Sequence, residues 1–185
     1  MMTDQADTGT GQARERQARD ARDFARQAVH GLARELGAQA TSRTMFRHDP
    51  DSPAVRDYDP APGMRAARAV ELAARRMTRD YIKVARQDAM SWQQIGAALD
   101  LSADTDNGST VADAAFDVTA GDPNTHYART YGRSLSWTCP VCLGLVIDRG
   151  PCGGPADDEP GHEDGCERLA ATVAAWETQW AEDEG

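Results

Sequence analysis

Cysteine and histidine are the side chains in this 185-residue chain best able to hold a metal, and there are four of each. Three of the cysteines and one histidine fall into a single pattern. Cys139-Pro140-Val141-Cys142 is followed, after about twenty residues, by His162-Glu163-Asp164-Gly165-Cys166. A C-x-x-C pair can turn both thiolates back on one ion, and its tight turn aims backbone N–H groups at the sulfurs. His162 and Cys166 are four apart, so they share one face if both lie in the first turn of a helix. The expected site is one tetrahedral Zn2+ held by Cys139, Cys142, His162 and Cys166. Cys152, in the loop Gly150-Pro151-Cys152-Gly153-Gly154, is the alternative fourth ligand in place of His162; the spacing to Cys166 favours the histidine. Four protein ligands close the coordination sphere, which makes the metal structural and leaves no position for a reacting water. Iron could occupy the same thiolate-rich set. A redox role fits less well, because the dithiol does not open a helix after a βα pattern. Disulfides are disfavoured in a chain with no secretory signal. His126 lies far from the knuckle in sequence and is a weaker candidate.

The elements that must position these ligands follow from the flanking residues. Ser134–Thr138 reads as a strand entering the knuckle and Leu143–Asp148 as one leaving it, with Val141, Leu145 and Ile147 expected to wall the metal from water. The last helix is expected to start near Gly161. Leu169, Val173, Trp176 and Trp180 share one of its faces. A knuckle, a short β hairpin and two ligands at a helix start describe a treble-clef or zinc-ribbon-like module with a C-terminal helix, over 134–181.

Upstream, the pattern is mainly α. Residues 1–11 are polar and read as a disordered arm. Residues 12–40 form an N-terminal helix with an Ala/Leu stripe (Ala21, Ala25, Ala28, Val29, Leu32, Leu36), capped by Gly37. Residues 41–62 hold four prolines and read as an irregular connector. From Gly63 to about Gln87 comes a helix whose Val70, Met77 and Val84 recur every seven residues, with Ala66, Ala73, Ala74 and Tyr81 widening the face. Arg65, Arg68, Arg75, Arg76, Arg79, Lys83 and Arg86 fall in an arc of roughly 100° on the other side, the pattern of a phosphate-contacting stripe or of a solvated face. Ser91 and Gln94 form a capping box ahead of Trp92, Ile95 and Leu99, and Thr110 with Asp113 forms a second one. This makes 63–120 a helix-turn-helix-like core. The loop from Asp100 to Ser109 is longer than such a motif normally uses. The helix after it offers Asp113 and Asp117 but none of the Arg, Lys, Asn or Gln donors that read base edges.

The chain carries 30 acidic and 20 basic side chains, a formal charge of −10, which argues against simple nucleic-acid binding. The charge is uneven: from Cys139 onward the only Lys or Arg residues are Arg149 and Arg168, against eleven acids. No apolar run reaches the length of a membrane span and no hydrophobic leader opens the chain, so a soluble cytoplasmic protein is expected.

The motifs "S-W-x-x-I-G-x-A-L", "A-A-F-D-x-x-A-G" and "W-T-C-P-x-C…D-R-G-P…G-H-x-x-G-C-x-R-L-A", from Ser91 to Ala170, resemble a group of small actinobacterial proteins. The resemblance implies a helix-turn-helix-like core paired with a C-terminal zinc module and carries no established activity. Cys152 lies outside its pattern, and Ala89 stands where such a turn would hold a glycine. Two functions are expected from these readings. One is a DNA-binding or DNA-associated accessory protein, such as a transcription regulator, that docks the arginine face on phosphates. The other is a zinc-stabilised, acidic protein-interaction adaptor that makes no DNA contact. Neither is an enzyme: the chain lacks a phosphate-binding glycine loop, an activated nucleophile and the H-x-E pair of a zinc deaminase.

Overall fold

The computed structural model describes residues 5–44, 54–120 and 132–183; the chain is mainly helical and divides into two units, Met1–Arg76 and Met77–Gly185. No described helix is long and apolar enough to cross a membrane.

In the first unit, helix α1 (Gln5–Glu35) starts earlier than expected, so part of the polar arm is helical. It ends as the sequence indicates. Gly37 takes a left-handed conformation (φ 81°), its N–H bonds to the Arg34 carbonyl, and the Ala38 N–H bonds to the Ala33 carbonyl. This is the Schellman pattern that glycine favours. The connector is more regular than its prolines suggest. Strands β1 (Ala40–Thr44) and β2 (Ala54–Tyr58) pair antiparallel, with Ala40 opposite Tyr58. Helix α2 (Pro60–Gln87) opens on a proline, which is tolerated where the first-turn N–H has no helical partner anyway. Ala33 and Ala66 are fully buried.

The second unit begins in the last turns of α2. That helix ends in another Schellman pattern (Ala89 N–H to Arg86, Met90 N–H to Ala85), but with Ala89 rather than glycine at φ 63°. Helix α3 (Trp92–Ala98) follows; Ser91 and Gln94 form the expected capping box, and Asp100 (φ 56°) closes it. A 3-10 turn (Thr105–Asn107) leads to α4 (Val111–Ala120), where Thr110 and Asp113 cap each other reciprocally. Helices α3 and α4 meet closely because Gly96 has no side chain: a Cβ there would collide with Val111.

Strands β3 (Leu135–Thr138) and β4 (Leu145–Asp148) form an antiparallel hairpin, with Leu135 opposite Asp148 and Thr138 opposite Leu145. A one-turn helix, α5 (Pro155–Asp158), and the long α6 (Glu167–Asp183) complete the unit. One hydrophobic core joins helices and hairpin. It contains Ile82, Trp92, Ile95, Ala115, Phe116, Leu135, Trp137, Val146 and the sulfurs of Cys139 and Cys166. Phe116 packs edge-on against Trp92, with centroids 5.2 Å apart.

Two expectations about buried faces fail. In α2 the heptad residues Met77 and Val84, with Tyr81, are exposed, while Ile82 and Arg86 turn inward. In the hairpin Val146 and Asp148 face the core, so Val141, Leu145 and Ile147 do not wall the metal site and instead lie exposed. On α4 Val118 is exposed and Thr119 is buried, its hydroxyl donating to the Ala115 carbonyl.

Candidate metal centre

Cys139 leaves β3 directly into a tight turn. Its N–H bonds to the Gly144 carbonyl at 2.9 Å, and the Leu143 N–H returns to the Cys139 carbonyl at 2.9 Å. To close this turn Leu143 takes φ 62°. A left-handed conformation costs a non-glycine residue roughly 1–2 kcal/mol. Gly144 must be glycine, since a Cβ would run into the Gly161 carbonyl oxygen.

The other two ligands arrive on a segment bent twice, at Gly161 (φ 107°) and Gly165 (φ 75°). A Cβ at Gly161 would strike the Leu145 carbonyl. His162 therefore sits in a turn, and Cys166 immediately precedes α6, which begins at Glu167 and not near Gly161. The spacing of four is used, but across a turn rather than along one helix face.

The ligand atoms of Cys139, Cys142, His162 and Cys166 all lie within 4.8 Å of one another, so the four can hold one metal ion. The Cys139 and Cys166 sulfurs are 3.8 Å apart, and the Cys142 sulfur lies 3.6 Å from His162 Nδ1. Two sulfurs bound tetrahedrally at about 2.3 Å would be separated by about 3.8 Å, and a sulfur and an imidazole nitrogen by about 3.6 Å. Both separations match edges of a tetrahedron sized for such an ion. Cys152 lies outside this cluster, exposed, with its thiol 3.7 Å from the Arg149 carbonyl. His126 is outside the described residues.

The backbone prepares the thiols unequally. The Glu163 N–H, then those of Gly144 and the neighbouring ring and thiol, pull the Cys142 pKa down from 9.0 to about 6 against the opposing effect of burial. At Cys166 the Leu169 N–H favours the thiolate, yet burial and the adjacent Cys142 and Cys139 sulfurs together hold its pKa above 9.0. One negative sulfur resists a second beside it, and a bound dication would reverse that balance.

Behind the cluster lies a buried ionic network absent from the sequence reading. His162 Nε2 is 3.3 Å from Glu159 Oε2, which also accepts from Arg168 Nη1 at 2.6 Å. Glu159 Oε1 accepts from Arg86 Nη2, and Arg86 Nε donates to Asp148 at 2.7 Å. Asp148 also accepts from Trp92 Nε1 and from the Gly150 N–H, both at 3.0 Å. The Arg168 guanidinium lies over the Trp137 ring at 4.4 Å and donates to the Gln87 and Arg86 carbonyls. Two arginines and two carboxylates balance in charge, as buried ions must. A carboxylate on the far nitrogen of a ligating imidazole fixes its orientation and raises its basicity.

This network removes Arg86 from the expected phosphate-contacting stripe: its side chain is buried and committed to Asp148 and Glu159. Arg65, Arg68, Arg75, Arg76 and Arg79 are exposed, and Lys83 is half-buried. Arg68 and Arg75 each pair with Glu71 at 2.8 Å. On α6, Leu169 packs on the core and Trp176 stacks near Gly154; the Trp180 side chain is outside the description.

Comparison of the chain with protein-family models, curated proteins and solved structures finds no match.

Proposed function

We propose that the chain is a zinc-stabilised protein-interaction adaptor. Zinc is the ion read from the donor set: three thiolates and one imidazole gathered within 4.8 Å of one another, a full complement of four. Cys139, Cys142, His162 and Cys166 would hold it, and when bound it fixes the knuckle to the start of α6. The fold reading that goes with it is a treble-clef or zinc-ribbon-like module on a helix-turn-helix-like core. The metal's task is then conformational and the chain performs no catalysis.

The observation that carries the adaptor reading is the outer face of the hairpin. Val141, Leu143, Leu145 and Ile147 are 55, 75, 62 and 43 % exposed, although a hairpin packed on one side ordinarily turns polar residues outward. The DNA reading loses ground on α2 and α4. Arg86 is internal, Arg68 and Arg75 are paired with Glu71, and α4 carries Asp113 and Asp117 without a cation.

Two measurements test the choice. A photo-crosslinking amino acid at position 143 should capture a protein partner in cells, whereas the same group at exposed Glu177 should not. Anisotropy with a mixed-sequence duplex at low salt should show no binding. Micromolar, salt-sensitive duplex binding abolished by Arg76→Glu with Arg79→Glu would restore the DNA reading.

A further inference from the structure

We infer that the outer face of the β3–β4 hairpin receives an amphipathic helix of a partner protein, with two apolar side chains on Leu145 and Ile147 and one aspartate or glutamate on Arg149. This rests on the adaptor reading and adds the chemistry of the partner.

The outward register of β4 continues past its last residue. The Ile147 N–H bonds to the Pro160 carbonyl and the Arg149 N–H to the Asp158 carbonyl, so residues 147 and 149 hold equivalent positions on one extended strand. Exposure alternates to match: Leu145, Ile147 and Arg149 are exposed, while Val146, Asp148 and Gly150 are buried. Across the hairpin, Thr138 and Ser136 stand opposite Leu145 and Ile147 and bring no charge. The face thus presents two apolar residues in line and then a single cation. Leu143 adjoins the line at the knuckle, exposed, with its backbone in the left-handed region that glycine or asparagine would hold more easily.

Arg149 is left over by the chain's own acids. From Cys139 onward eleven acidic residues accompany only Arg149 and Arg168, and Arg168 is buried. Yet among the described residues no carboxylate pairs with the Arg149 guanidinium. Its sequence neighbour Asp148 turns inward to Arg86 and Trp92, and Asp158 accepts from the Gly153 N–H. An exposed arginine at the end of an apolar strip is the composition of an interface anchor, and its planar fork suits a carboxylate.

The hairpin edges decide how the partner lies. The edge of β4 is taken by the segment 158–160, and on β3 the Thr138 carbonyl accepts from the Gln87 side chain at 3.0 Å. These contacts obstruct an added strand, so the partner lies across the face. Alternate residues of a strand recur about every 6.7 Å. Residues four apart on a helix recur about every 6 Å. Apolar residues one helical turn apart therefore cover Leu145 and Ile147, and an acid one turn further meets Arg149.

Charge selects among occupants. The formal charge of −10 repels phosphate-bearing surfaces and runs of acids alike, so the partner supplies one placed carboxylate and not a cluster. A second copy paired through the same face would bring no acid to Arg149, because the outward positions of the hairpin hold none.

The test is selection of a phage-displayed random hexadecapeptide library on the immobilised, metal-loaded full chain. Selected peptides are then measured against Leu145→Lys and Arg149→Glu, each first checked for unchanged metal content and circular dichroism. The expected peptides carry two apolar residues and an Asp or Glu at successive helical turns, and lose at least tenfold in affinity with either variant. Replacing that acid by lysine should restore binding to Arg149→Glu, an exchange that a merely structural arginine could not produce. Peptides that need Leu145 but ignore Arg149→Glu would overturn the acidic partner and leave the adaptor reading standing. Peptides insensitive to Leu145→Lys, or none at all, would overturn both. A concentration-dependent dimer lost in Leu145→Lys would overturn the proposal by assigning the face to a second copy.

Discussion

Replacing Glu159 by alanine should be among the most damaging single changes in the chain, although it is neither a metal ligand nor apolar. Its carboxylate is 1 % exposed and accepts from Arg86, Arg168 and His162. Without it Arg168 keeps the Gln87 and Arg86 carbonyls, the Trp137 ring and a 3.4 Å contact to His162 Nε2 but no carboxylate, Arg86 keeps Asp148 and the Met90 carbonyl, and one positive charge is left uncompensated in the interior. Breaking a buried ion pair from one side costs about 3–5 kcal/mol. The metal adds to this: losing the carboxylate behind a ligating histidine typically weakens metal affinity about 10–100-fold, and metal binding is linked to folding. Glu159→Gln keeps the shape and loses the charge-assisted bonds, for about 1.5–3 kcal/mol. Asn107→Ala is the control in the same unit: it breaks an exposed side-chain contact to Asp104, and the loss should stay below about 1 kcal/mol. Urea unfolding of the metal-loaded protein, followed by tryptophan fluorescence, measures these differences. All four tryptophans lie in the second unit, so the signal reports the relevant core. A Glu159→Ala loss no larger than that of Asn107→Ala would refute the network as a source of stability.

Ala89→Gly should stabilise the second unit by about 1 kcal/mol, because the turn after α2 holds a non-glycine residue at φ 63°; a lower urea midpoint would contradict this. In the metal-free protein, alkylation at pH 7 should consume Cys142 before Cys166, since the pKa of the first is drawn down to about 6 and that of the second is raised, and metal should protect both. The same Cys142 shift has a sign in stability. The folded pKa lies below the unfolded 9.0, so the unfolded chain binds more protons between the two values. The contribution is full above pH 9.0 and lost as pH falls towards about 6, so the Cys142→Ser variant should flatten that part of the metal-free stability curve.

Much of the site was legible because its signals are local. The C-x-x-C turn, the His162–Cys166 spacing, the Ser91/Gln94 and Thr110/Asp113 boxes and the Gly37 cap all involve residues within five positions of one another. Arg86 was not legible, because its partners Asp148 and Glu159 lie 62 and 73 residues away. Helical periodicity sorts residues by polarity, so it grouped Arg86 with the solvent-facing arginines. The same pairing explains the rotation of α2: bringing Arg86 inward carries Ile82, one turn earlier, into the core and leaves Met77, Tyr81 and Val84 outside. In β4 the run Leu145-Val146-Ile147 is apolar at every position, so a period of two could not choose a face. Asp148 chooses it, through its bonds to Arg86, Trp92 and the Gly150 N–H.

Cobalt substitution tests whether three thiolates and one imidazole form a single metal site. One Co2+ per chain should give the intense visible bands of tetrahedral coordination together with near-ultraviolet thiolate-to-metal charge transfer. The spectrum should be unchanged in Cys152→Ser and lost or altered in Cys139→Ser, Cys142→Ser, Cys166→Ser and His162→Ala. A pale six-coordinate spectrum, or one that survives His162→Ala but changes in Cys152→Ser, would contradict the account.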